Sequence, residues 1–144
     1  MKQLIAYYSY TGDTAKLAAK LAEKRDCDIL EIKDAVARPG KLKAYTAGCF
    51  AAIKGKSWEI EPLARNLEEY DRITILAPVW AGGPAPQINS LIDRLPDARF
   101  VEIIMVSASG KSSCKQKLEE RIKAKGCAPV SFRNVKGKQA EPPE

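Results

Sequence analysis

Two kinds of hydrophobic run alternate along the chain. Lys2 to Ser9 carries Leu4, Ile5, Ala6, Tyr7 and Tyr8 without a break, the pattern of a strand buried on both faces. Thr14 to Lys24 then places Leu17, Ala18, Leu21 and Ala22 at helical spacing. Cys27 to Ile32 reads as a second strand, with acidic residues between Ile29, Leu30 and Ile32. A weaker helix is expected after the Pro39-Gly40 turn, with Leu42, Tyr45, Cys49, Phe50 and Ile53 on one face.

The second half repeats the alternation. Arg72 to Val79 and Phe100 to Ser107 are strongly apolar strands. Between them Ile88, Leu91, Ile92 and Leu95 predict a short helix that ends at Pro96. Cys114, Leu118 and Ile122 form the seam of a last helix closed by Gly126. The final strand, Val130 to Val135, is introduced by Pro129, and a proline there belongs at a sheet edge. Five strands alternating with four helices predict an α/β fold with a parallel sheet and right-handed crossovers. The first, third and fourth strands are the most apolar, so an order of 2-1-3-4-5 leaves the mixed second and fifth at the edges. Residues 1–136 are expected as one domain and 137–144 as a short polar tail.

Composition narrows the chemistry. The 144 residues include no histidine, which excludes histidine triads and imidazole bases. The four cysteines, Cys27, Cys49, Cys114 and Cys127, show no Cys-x-x-Cys spacing, so free thiols and no metal are expected. The longest uncharged stretch, Ile73 to Ile92, holds three prolines and a Gly-Gly pair and cannot be a membrane span. No secretory signal is apparent at the N-terminus, so a cytoplasmic protein with no membrane role is expected. A net charge of +6 without a binding signature argues against nucleic acid and for an acidic protein partner.

In an open α/β sheet, ligands sit beyond the carboxyl ends of the strands where the order reverses. Three loops meet there. Ser9-Tyr10-Thr11-Gly12-Asp13-Thr14 opens directly into a helix, and its hydroxyls and helix-start N–H groups suit an anion. The same residues equally describe a helix N-cap, with Thr11 or Asp13 as the capping group. Pro78-Val79-Trp80-Ala81-Gly82-Gly83-Pro84-Ala85-Pro86 puts a Trp beside two glycines, well placed to lie against a ring and poorly placed for the core. The third loop is Ser107 to Ser113.

These motifs resemble the flavodoxin family. The first loop is similar to its phosphate signature, and Pro78-Val79-Trp80-Ala81-Gly82 with Pro84-Ala85-Pro86 is similar to a P-V-W-A-G-x-P-A-P loop found in flavodoxin-like FMN-binding proteins. The likeness runs from about Lys2 to Val135 and implies a flavodoxin-like three-layer sandwich with FMN as cofactor. It also implies roles by position. Ser9, Tyr10, Thr11, Gly12, Asp13 and Thr14 would hold the phosphate. Pro78, Val79, Trp80, Ala81 and Gly82 would flank the isoalloxazine, with Trp80 stacked on one face. Ser107, Ala108, Ser109 and Gly110 would line the other side.

The chain departs from the family pattern in three places. Asp13 stands where Asn or Gln is commoner, the third loop has no aromatic residue, and the chain is basic with Lys111 in that loop. Weaker FMN binding and a different partner are the expected consequences. The expected function is electron transfer between redox proteins, acidic ones included, by a monomer or weak homodimer with no catalytic residues of its own. The alternative is a small FMN-dependent NAD(P)H:quinone-type oxidoreductase, which needs room for a second planar substrate. A cofactor-free interaction domain is the third reading. Gly110-Lys111-Ser112 lacks the earlier glycine of a nucleotide P-loop, and Cys127 and Arg133 lack the anion-cradling turn of a cysteine phosphatase.

Overall fold

The strands that the apolar runs predict pair into one parallel sheet. The structure, a computed structural model, describes residues 2–36 and 40–137. Its elements run β1 (Gln3–Tyr7), α1 (Asp13–Arg25), β2 (Asp28–Glu31), α2 (Lys41–Ile53), β3 (Arg72–Trp80), β4 (Gly83–Pro84), α3 (Pro86–Asp93), β5 (Phe100–Ser107), α4 (Lys115–Ala124) and β6 (Ala128–Lys136). A single 3-10 turn, Leu67–Glu69, precedes β3. The sheet order is β2-β1-β3-β5-β6, with β4 attached to β3 alone. Apart from that two-residue strand, this is the expected order 2-1-3-4-5.

Alternation along each strand sends side chains to opposite layers. On one face Ile5, Leu76, Ile104 and Val106 meet Leu17, Ala18 and Leu21 of α1. On the other face Leu4, Ala6, Ile73, Ile75, Ile103 and Met105 meet α3 through Ile88, Leu91 and Ile92, and α4 through Leu118 and Ile122. Three helices thus cover one face, and α1 is the only α-helix on the opposite face among the described residues. Pro129 sits in β6, which pairs with β5 alone, and the ladder shifts register between Val101 and Glu102. An edge strand and a bulge are where a proline's missing N–H does least harm.

At the C-terminal end of α1 the sheet surface is closed by charge. Glu102, 1% exposed, accepts from both terminal nitrogens of Arg25 at 2.7 and 3.3 Å and from the Thr74 hydroxyl at 2.8 Å. The Arg72 guanidinium lies 3.4 Å away. Burial pushes the Glu102 carboxyl up, but the Arg25 and Thr74 hydrogen bonds and the charges of Arg25 and Arg72 outweigh it and hold the pKa at about 2.

Helix α2 departs from its expected orientation. Leu42, Phe50 and Ile53 are 80%, 63% and 62% exposed, and Tyr45 is only partly covered. The residues turned inward are Gly48, Ala51 and Ala52, and of the expected face Cys49 packs against the core. The physical reason is Trp80: a Cβ on Gly48 would stand 2.1 Å from its Cζ3 atom, so the indole fills the space a larger helix residue would need. No helix among the described residues is long and apolar enough to cross a membrane. Of the expected polar tail, residues 138–144 and the Pro39 half of the expected turn lie outside the described residues.

Candidate functional site

At the carboxyl ends of β1 and β3 the chain leaves a cavity of about 530 Å³. Its first wall is the loop between β1 and α1. Gly12 is the N-cap residue of α1 in a left-handed conformation (φ 98°), which favours glycine, and no side chain caps the helix. The N-cap reading of Thr11 or Asp13 is thus replaced: the Gly12 N–H donates to Ser9 Oγ at 3.0 Å, and the first helical hydrogen bond runs from the Lys16 N–H to the Gly12 carbonyl. The N–H groups of the first turn are left for a ligand, with the positive end of the helix dipole behind them. Tyr10, Thr11, Asp13 and the buried Thr14 line the cavity here. Ser9 and Gly12 shape the loop without lining it.

The second wall is the end of β3, where Pro78, Val79 and Trp80 line the cavity. Trp80, expected to be poorly placed for the core, belongs to it and is 3% exposed. Tyr8, Tyr10, Tyr45 and Trp58 surround it edge-on, with ring centroids 5.2 to 6.4 Å away. Ala81 and Gly82 make the tight turn between β3 and β4, both with positive φ (52° and 85°), as a two-residue hairpin of right-handed twist requires. They face a neighbouring cavity of about 310 Å³, together with Cys114, Lys117 and Arg121. The Ser113 N–H donates to the Gly82 carbonyl at 2.8 Å and ties this turn to the third loop.

The third wall comes from Val106, Ser107 and Ala108. Ser109 and Gly110 do not line the cavity. Gly110 (φ 70°) lies beneath the stem of Lys136, and its Cβ would stand 3.1 Å from the lysine Cγ. Lys111, the cation expected beside the ring, is exposed and outside the lining, and its N–H donates to Ser107 Oγ at 3.1 Å. The lysine that does line the cavity is Lys136 at the end of β6. Gly137, expected to start the tail, lines it too. Its N–H donates to the Ser107 carbonyl at 3.0 Å, and Asp13 lies beside it.

Sequence reasoning therefore missed Tyr45, Val106, Lys136 and Gly137. Tyr45 comes from α2 and stacks on Tyr10 at 6.1 Å and 29°. It was legible as an apolar helix position, but not as one turned toward the loop. The donor set fits FMN. An uncapped helix start and two threonine hydroxyls suit one terminal phosphate, and beside them the cavity is lined by residues of three loops and by Tyr10 and Tyr45.

Comparisons with known proteins bear on the fold and the cofactor. Residues 6–128 match the model of a family described as NADPH-dependent FMN reductase. A flavoprotein solved in complex with FMN from Lactobacillus acidophilus NCFM is similar at 26% identity and a TM-score of 0.75, over 94% of this chain and 93% of that one. The apo-form of the flavoprotein from the same organism matches at 25% identity and a TM-score of 0.63, over 93% of each chain. Flavodoxin 2 from Bacillus cereus shares the fold at 16% identity and a TM-score of 0.59, over 98% of this chain and 88% of that one. No curated protein sequence matches the chain.

Proposed function

This chain belongs to the NADPH-dependent FMN reductase family, and we propose that it is a flavodoxin-like flavoprotein that takes electrons from a nicotinamide dinucleotide and passes them to a small acceptor. The observation that carries this is the uncapped α1 start facing a cavity at the carboxyl ends of β1 and β3, in a chain that the family model matches over 6–128. Bound FMN supplies the capacity to accept and release one or two electrons.

The protein's own residues bind and orient the group. The first-turn N–H groups with the Thr11 and Thr14 hydroxyls hold the phosphate. Asp13 lines the same cavity, with its carboxylate oxygen 3.6 Å from the place of a Gly137 Cβ, and its charge would weaken the hold on a phosphate. Val79, Ser107 and Ala108 bound the ring, and Lys136 favours negative charge there. The neighbouring cavity beneath residues 81–84 has Lys54 and Lys117 in its wall, cations that would attract the phosphates of a dinucleotide.

A second reading, the electron carrier, draws on one observation. The outward Leu42, Phe50 and Ile53 of α2 lie on the helix that brings Tyr45 to the cavity. No acidic residue occurs in α2, so an acidic redox protein is the partner that this reading implies. Anaerobic mixing of the FMN-loaded protein with NADPH separates the two. Loss of the flavin's visible absorbance within seconds supports the reductase. Bleaching by dithionite but never by NADH or NADPH supports the carrier.

A further inference from the structure

Five of the seven large hydrophobic side chains left exposed among the described residues fall in one short stretch: Val36, Leu42, Tyr45, Phe50 and Ile53. The molecule's excess charge falls in the same place. Residues 35–58 contain five lysines and arginines and no aspartate or glutamate, and so account for +5 of the net charge of +6.

On α2 this composition becomes a defined surface. Leu42, Thr46, Phe50 and Ile53 recur at helical spacing and form one outward ridge. Thr46, its polar member, donates its hydroxyl to the Leu42 carbonyl at 2.8 Å, so that donor is satisfied without water. Lys43 stands next to the ridge within the helix, and Lys54 and Lys56 follow its C-terminal end. All three are exposed, and none has an ion-pair partner among the described residues. A surface helix ordinarily turns its large apolar residues to the core. Here the core takes Gly48, Ala51 and Ala52, and the large residues stand outside. An exposed apolar patch rimmed by charge marks an interaction site.

Charge selects the occupant. A second copy docked through the same face would set these lysines against their own counterparts. An acidic protein, the partner of the carrier reading, would have to supply a groove for the ridge and accept lysines, which protein interfaces disfavour. A bilayer with anionic headgroups needs no matching groove. It takes the apolar side chains of a helix lying in its plane, while lysines reach the headgroups.

We propose that α2 docks the protein on anionic phospholipid membranes, lying flat with Leu42, Phe50 and Ile53 inserted and Lys43, Lys54 and Lys56 on the headgroups. The expectation of no membrane role rests on the absence of a span, and a helix lying in the interface needs none. The proposal does not rest on the function proposed above.

The test is co-sedimentation of the full-length protein with vesicles of phosphatidylglycerol and phosphatidylcholine, and with vesicles of phosphatidylcholine alone. Saturable binding to the anionic vesicles is expected, about tenfold weaker on the neutral ones and falling as salt is added. Phe50→Ser and Leu42→Ser should each bind about tenfold more weakly, and Lys43→Gln about fivefold, the worth of one cation near an anionic surface. Phe100→Ser and Lys20→Gln change an exposed ring and an exposed lysine away from α2, and should stay within about twofold of the wild type. Wild-type binding by Phe50→Ser or Lys43→Gln would mean adhesion by overall charge and overturns the proposal. So does a wild type that stays in solution beside the anionic vesicles. The face then belongs to a second copy if the chain self-associates and Phe50→Ser abolishes it, and to an acidic protein otherwise.

Discussion

The two faces of the sheet are closed by different physics. The α1 side uses one amphipathic helix and, at its C-terminal end, a buried carboxylate between two guanidiniums. The α2–α3–α4 side uses mainly apolar packing, with the buried Gln87, Asn89 and Ser90 of α3 each hydrogen-bonded, and a ring cluster around Trp80 next to the cavities. The first arrangement is position-critical, since each charge depends on the others. The second depends on shape, because a crowded indole tolerates no added volume. The contrast teaches that the ionic closure supports the scaffold while the aromatic closure shapes the site.

The largest expected effect breaks the ionic side. Arg25→Ala leaves Glu102 buried without its main partner and should cost about 3–5 kcal/mol in urea unfolding. Arg25→Met with Glu102→Leu should recover most of that loss. The pH dependence follows from the same group. Its folded pKa, about 2, lies below the usual glutamate range, so its stabilisation is complete above about pH 5 and is lost as the pH falls toward 2. The loss amounts to about 3 kcal/mol as an upper value. Glu102→Gln should flatten this acid limb of the stability curve. A mutant that keeps the wild-type slope would show that other carboxylates set it.

Next comes the aromatic side. Gly48→Ala puts a methyl into the Trp80 ring and should cost about 1–3 kcal/mol, with a parallel loss of FMN affinity as the indole shifts. Unchanged FMN binding at reduced stability would mean that Trp80 supports the core without shaping the cavity. A smaller effect of opposite sign is expected at Ala81. Its left-handed backbone (φ 52°) strains an alanine, so Ala81→Gly should stabilise by up to about 1 kcal/mol in thermal unfolding.

How far these features were legible depends on what each residue must touch. The unbroken apolar runs of the first, third and fourth strands predicted the order of the sheet because Leu4, Ile73 and Ile103 answer to burial alone. The loops 9–14 and 78–86 carried their chemistry in contiguous residues, so they could be found by reading along the chain. Glu102 reads as one acid in an apolar strand, and its partner Arg25 lies 77 positions away. Lys136 enters the cavity only because β6 ends beside β5. Helix α2 was misread for a related reason. Leu42, Phe50 and Ile53 carry the larger hydrophobic signal, while the inward face is chosen by Trp80, a contact between distant segments that periodicity does not register.

The smallest expected effect tests the orientation of that helix directly. Leu21 of α1 is fully buried, and Leu21→Ala should cost about 2–5 kcal/mol. Phe50→Ser on α2 is as drastic in chemistry, but the ring is mostly in water already. It should change the unfolding free energy by no more than about 0.5 kcal/mol. Leu42→Ser, at a still more exposed position, should do the same. The pair is measured by urea unfolding at two protein concentrations. A loss above about 1 kcal/mol that shrinks at low concentration would mean that a second copy covers α2, because association adds to apparent stability by mass action. A large loss independent of concentration would mean that the helix turns its apolar residues inward after all. Equal, small effects at both concentrations leave α2 an open surface beside the cavity.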